Sequence, residues 1–121
     1  PVVFLLSVGD PAYARARAQF SSNFFAVAGF EIVDNNGFNS VEDGITAAVD
    51  KNADLIVLCS SDEEYAIFAP RAFELLNSRA LVVAGNPSCR PELENKGIQN
   101  FIHLKSNILE ELTRYQDLLI N

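Results

Sequence analysis

One alternation repeats five times along this chain: an apolar run, then a stretch whose apolar residues recur at helical spacing. That pattern restricts the fold more than any short motif does. Val2 to Val8 is too continuously apolar for a strand with one wet face, so it reads as a central strand covered on both sides. Phe30–Val33 reads as a short second strand, Ala53–Cys59 as a third and central one, Ala80–Gly85 as a fourth and Gln99–His103 as a fifth. Strands separated by helices pair in parallel through right-handed crossovers. Five such units predict a three-layer α/β/α sandwich of the flavodoxin-like, Rossmann-like kind, with strand order 2-1-3-4-5 and a ligand crevice between the first and third strands. No linker or low-complexity tract interrupts the pattern, so residues 1–121 form a single domain. A chain that begins at Pro1 and contains no Met is expected to be a piece of a longer polypeptide.

The helices carry their own signals. Asp10 is a good N-cap, and Pro11 suits the first helical position, where its missing N–H costs nothing. Ala16, Phe20, Phe24 and Val27 recur at helical spacing, and Gly29 ends that helix. Ser40 can cap a helix with Ile45, Ala48 and Val49 on one face. Ser61 to Glu64 has the form of a capping box, opening a helix that should carry Tyr65, Ala69, Ala72, Phe73 and Leu76 inward. Pro70 should kink or restart that helix. Pro91–Lys96 reads as a short helix closed by Gly97. Ser106 caps a last one with Ile108, Leu109, Leu112, Tyr115 and Leu119 on one side.

Composition removes several functions. A net charge of −7 with nine scattered basic residues argues against nucleic acid as a partner. Cys59 and Cys89 are too distant for a Cys-x-x-Cys pair, and a single His leaves no zinc set. Both cysteines read as ordinary thiols of a cytoplasmic protein. The apolar start is too short to span a membrane and has no basic flank, so neither a signal sequence nor a membrane partner is expected.

With that topology one rim collects Gly9, Asp10 and Tyr13; Asp34 and Asn35; Ser60, Ser61 and Asp62; Gly85 and Asn86; and His103 with Lys105. Each has a structural reading. Asp10, Ser61 and Ser106 are helix caps, Gly85 answers to backbone geometry, Asp34–Gly37 is a turn, and His103 is a partly buried, hydrogen-bonded imidazole. A phosphorelay receiver would need paired acids after the first strand and an Asp ending the third; here the third ends in Cys59-Ser60-Ser61. A flavin or dinucleotide domain would need a glycine-rich or hydroxyl-rich first loop, which Gly9-Asp10-Pro11-Ala12 is not.

Cobalamin-binding domains of mutases and methionine synthase share the predicted architecture. They carry an Asp-x-His-x-x-Gly motif after the first strand, a Ser-x-Leu after the third and a Gly-Gly ending the fourth. On this chain Asp10 falls at the Asp, Ala12 at the cobalt-binding His and Arg15 at the Gly; Ser60-Ser61-Asp62 stands at the serine motif and Ala84-Gly85 at the glycine pair. The segments Ala14–Arg17, Phe20–Phe25, Ala28–Glu31, Gly37–Phe38, Cys59–Glu63 with Tyr65–Ala66, Ala84–Pro87 and Phe101–His103 resemble the C-terminal domain of the small subunits of bacterial methylmalonyl-CoA mutases.

The resemblance implies a heterodimer. Its large subunit binds adenosylcobalamin and interconverts methylmalonyl-CoA and succinyl-CoA; its small subunit is a degenerate copy that supports its partner. It implies for this chain a non-catalytic domain with no catalytic residue, no metal and no bound cofactor, retaining only a degenerate rim of Asp10, Ala12, Tyr13, Ser60, Ser61 and Gly85. Arg15 and Arg17 would then place bulk and charge beside the first loop. The expected work is packing against the rest of the small subunit and the large catalytic subunit, with Phe24, Phe25 and Phe38 in the core or at that interface. The alternative is a domain that still binds cobalamin with no protein ligand to the metal.

Overall fold

A computed structural model of the chain describes residues 1–76, 80–103 and 108–120, without the side chains at 108, 109 and 120. Its elements run β1 (Val2–Ser7), α1 (Pro11–Ala26), β2 (Glu31–Val33), α2 (Val41–Asp50), β3 (Leu55–Cys59), α3 (Tyr65–Leu75), β4 (Ala80–Ala84), α4 (Arg90–Asn95), β5 (Phe101–Ile102) and α5 (Ile108–Ile120). The five strands form one parallel sheet in the order β2-β1-β3-β4-β5, the flavodoxin-like order expected from the alternation. The register sets Val3 against Leu55 and Leu5 against Val57. Lys105 and Ser106 lie outside the described residues, and Ile108 and Leu109 outside the described side chains.

The pleat divides the core in two. Val3, Leu5, Leu55, Val57, Val82, Ala84 and Ile102 face α1 and α5, where they meet Ala18, Phe24, Phe25, Leu112 and Tyr115. Phe4, Leu6, Ile56, Leu58, Leu81 and Val83 face the other way, onto Val41, Ile45, Ala48, Tyr65, Ala69, Ala72 and Leu93. All five residues of β3 are fully buried, which is why that run shows no polar alternation. Burying each large side chain there stabilises the fold by about 1.5–3 kcal/mol. Phe24 and Phe25 are core residues, and half-buried Phe38 stacks on Phe4 with ring centroids 5.9 Å apart.

Several helix faces differ from expectation. The buried side of α1 is Ala14, Ala18, Ser21, Phe24 and Phe25, whereas Ala16 is exposed and Val27, past the helix end, is 70% exposed. Small residues let this helix lie close to the strands, and Ser21 is tolerated inside because its hydroxyl donates to the Arg17 carbonyl at 2.7 Å. Val49 and Phe73, expected inward, are both 40% exposed, and Leu76 and Leu119 are half-buried. Pro70 does not restart α3, which runs through it from Tyr65 to Leu75. Pro70 has no N–H to offer the Ala66 carbonyl one turn back, and Ala66 is an exposed residue on the outer side of the helix.

Candidate functional site

The carboxyl ends of β1, β3 and β4 bring most of the predicted rim together, held by side chains that serve one another. Asp10 caps α1: its Oδ1 accepts from the N–H groups of Ala12 at 3.0 Å and Tyr13 at 3.4 Å. Pro11 occupies the first turn as expected. Ala12 and Tyr13 are exposed, Tyr13 by 54%. Asp34 and Asn35 form the predicted turn. Asn35 accepts from the Gly37 N–H at 2.9 Å and donates its amide to the Leu5 carbonyl at 2.7 Å.

Ser60 and Ser61 are organised around Glu64. Its Oε1 accepts from the Asp10 N–H at 2.9 Å, the Ser60 hydroxyl at 3.1 Å and the Ser61 hydroxyl at 2.7 Å. Half of the predicted capping box is present, since the Ser61 hydroxyl accepts from the Glu64 N–H at 3.3 Å. The other half differs: the glutamate reaches across to the first loop instead of back to Ser61's own N–H. The Asp10 N–H first, then the serine hydroxyls, hold the Glu64 carboxyl below the usual carboxylate range. Gly9, at φ +84°, lies directly beneath this carboxylate, and a Cβ there would collide with it.

A second knot ties β3 to β4. The hydroxyl of fully buried Tyr65 donates to the Ala84 carbonyl at 2.6 Å and accepts from the Ser60 N–H at 3.0 Å. Burial pushes the phenol well above its ordinary pKa, so it remains a neutral donor. The same Ala84 carbonyl accepts from the Arg17 guanidinium at 2.6 Å, while another of its nitrogens meets Asp62 Oδ1 at 3.0 Å. The guanidinium lies where a Cβ of Gly85 would be, and the backbone there, at φ +157°, strains any L side chain, so close approach and conformation both favour glycine.

Two cavities flank Arg17. One, of about 510 Å³, lies under α1 beside Phe20, Ala84, Gly85, Ile102, Asn86 and half-buried His103. The other, of about 530 Å³, is walled by Asp10, Tyr13, Ser61, Asp62, Glu63 and Glu64. Arg15 points elsewhere, lining a polar crevice with Asp34 and Asn35. Glu64, Tyr65 and Arg17 are the residues that build this rim, although the sequence pattern assigns the first two only structural tasks. One signal was present: Asp10, Tyr13 and Arg17 follow i, i+3, i+7 spacing and share a helix face.

Both cysteines are free thiols; burial pushes buried Cys59 up to about 12, and desolvation raises half-buried Cys89. Among the described residues no group of three or more His, Cys, Asp or Glu could hold a metal ion, and no helix is long and apolar enough to cross a membrane.

No protein-family profile matches the chain. Over 118 residues it is 56% identical to a methylmalonyl-CoA mutase small subunit from Porphyromonas gingivalis. The match takes in 97% of this chain and 19% of that protein, so the chain spans about a fifth of the relative's length.

Proposed function

We propose that this chain is the cofactor-free, cobalamin-domain-like portion of the small subunit of a methylmalonyl-CoA mutase. It works in the cytosol by packing against the rest of that subunit and the large, catalytic one. The observation that carries this reading is 56% identity, sustained over 97% of the chain, to a protein of that name.

The chemistry of the first loop agrees with it. A cobalt ligand from this loop would have to be a nitrogen lone pair at the exposed start of α1, and Ala12 offers a methyl group. Asp10, which would orient such an imidazole, is committed to the N–H groups of Ala12 and Tyr13. The sole His, His103, stands at the end of β5 on the wall of the cavity under α1. The first loop thus supplies no nitrogen ligand for cobalt, which supports placing the radical isomerisation on the partner chain.

The test is co-expression of the full-length small subunit with the large subunit. Removing the segment that corresponds to this chain should lower the yield of complex severalfold. Asp10→Asn and Tyr13→Ala should leave turnover of the assembled enzyme within twofold of wild type. Saturable binding of hydroxocobalamin to the isolated small subunit, seen as a shift in its visible spectrum, would overturn the assignment in favour of cobalamin bound without a protein ligand.

A further inference from the structure

We infer that the Arg17–Asp62 pair is a partition that divides a longer groove along the carboxyl edge of the sheet and keeps flat aromatic ligands off the face of Gly85. This deepens the assembly reading and rests on it, since a domain that works by packing has its rim shut by its own side chains.

The geometry is specific. Among the described residues, the cavity under α1 and the cavity over Ser61 and Glu64 have two lining residues in common, Arg17 and Asp62. The ion pair, 3.0 Å long, is thus the wall between spaces of about 510 and 530 Å³. The Arg17 side chain is 23% exposed, with one guanidinium edge on the Ala84 carbonyl and the group lying over Gly85. It covers Gly85, which lines the cavity under α1 together with Phe20, Ala84 and Ile102, a surface that is apolar apart from one carbonyl. A planar group now lies on that surface and donates one N–H to that carbonyl. A neutral flat aromatic carrying an N–H donor would make the same contacts without the cost of desolvating a charge.

Two features keep the arginine in place. Asp62 holds it electrostatically from the loop after β3, and Tyr65 sets the Ala84 carbonyl at the right height by donating to the same oxygen. Asp62 is 49% exposed, so removing its charge loosens the guanidinium without opening the core.

Indole, which has one N–H, is the probe. Backbone amide shifts of Phe20, Gly85 and Ile102 are followed by NMR during titration of wild type, Arg17→Ala and Asp62→Asn. Arg17→Ala should bind indole at least tenfold more tightly than wild type and Asp62→Asn about threefold, with the shifts centred on Gly85. An Arg17→Ala protein that keeps its spectral dispersion and gains no affinity would overturn the inference, as would wild type binding equally well. If Arg17→Ala does not fold, Asp62→Asn alone decides, and no gain in it is again fatal. Co-purification of the full small subunit carrying Arg17→Ala with the large subunit separates the two readings. Retained complex with gained indole binding supports both. Failure of the wild-type small subunit to form a complex would remove the assembly reading while leaving the titration result as evidence on the partition.

Discussion

The carboxylate of Glu64 accepts the backbone N–H of Asp10 at 2.9 Å, joining loops 54 residues apart in the chain. It spans the ends of β1 and β3, where the direction of chain progression across the sheet reverses and where open α/β sheets ordinarily receive ligands. In this chain a side chain supplies the oxygens that fill the place, taking two serine hydroxyls and one amide.

That contact should make stability depend on pH. The Glu64 pKa is lowered in the folded state from its ordinary value of 4.5. Its contribution is therefore complete above about pH 4.5 and is lost as pH falls through the lower, folded-state value. Glu64→Ala should cost about 1–3 kcal/mol at pH 7, because the Asp10 N–H and both hydroxyls lose a charged acceptor. Urea titrations of wild type and variant should converge as pH is lowered from 7 to 3. A gap that stays constant over that range would show that the carboxylate contributes nothing through its charge.

The Gly85–Arg17 approach should appear as strong non-additivity. Gly85→Ala places a Cβ against the guanidinium and should destabilise by about 1–3 kcal/mol through overpacking. Arg17→Ala removes both the obstacle and two hydrogen bonds. In the double variant the part of the Gly85→Ala penalty that comes from the guanidinium should disappear, while the strain of an alanine at φ +157° and its contacts with Asp62 and Tyr65 stay, giving a coupling of about 1 kcal/mol in a double-mutant cycle. Simple addition of the two single effects would mean that the guanidinium is no obstacle and that the backbone conformation at φ +157° alone calls for glycine.

Thiol labelling should resolve the two cysteines. With its pKa pushed up to about 12, Cys59 is thiolate in only about one molecule in ten thousand at pH 8, and no solvent reaches it. Cys89 is half-buried in the turn before α4 and should react first. A disulfide reagent should therefore titrate one thiol in the native protein and the second only as the chain unfolds. Simultaneous labelling under native conditions would contradict the buried position of β3.

The parts of the fold legible in the sequence were those written in local pattern. Leu55–Cys59 reads as a central strand because every residue is apolar, and the structure buries every one. Asp10-Pro11 announces a helix start because both residues act within a single turn. The phase of α1 was not legible, because its sheet side is marked by Ala14, Ala18 and Ser21, which carry little hydrophobic signal, while bulky Val27 lies outside the helix. Phe73 is similarly misleading: it lies over Gly97, close enough that a Cβ there would sit 3.1 Å from its ring, yet it stays partly in solvent. Of the rim, its membership could be read from topology, but its wiring could not. Glu64 looks like half of a capping box, and only the folded chain brings it to Asp10; Arg17 finds Ala84 across 67 residues.

Gly44 sets two opposing effects against each other in one substitution. It is a buried residue inside α2, where replacing glycine by alanine would ordinarily stabilise the helix by about 1 kcal/mol. Its missing side chain leaves room for Leu6 of β1, and a Cβ would stand 2.6 Å from the Leu6 Cγ, well inside contact distance. Leu6 is fully buried in the sheet and has no open space to retreat into, so α2 itself would have to lift from the sheet. Overpacking of this kind costs about 1–3 kcal/mol, which exceeds the propensity gain. Gly44→Ala should lower the urea midpoint with an unchanged slope, and in a Leu6→Ala background, which removes the obstructing Cγ and both Cδ atoms, the further loss from Gly44→Ala should shrink. A Gly44→Ala protein more stable than wild type would mean that helix and strand are not in the close contact described.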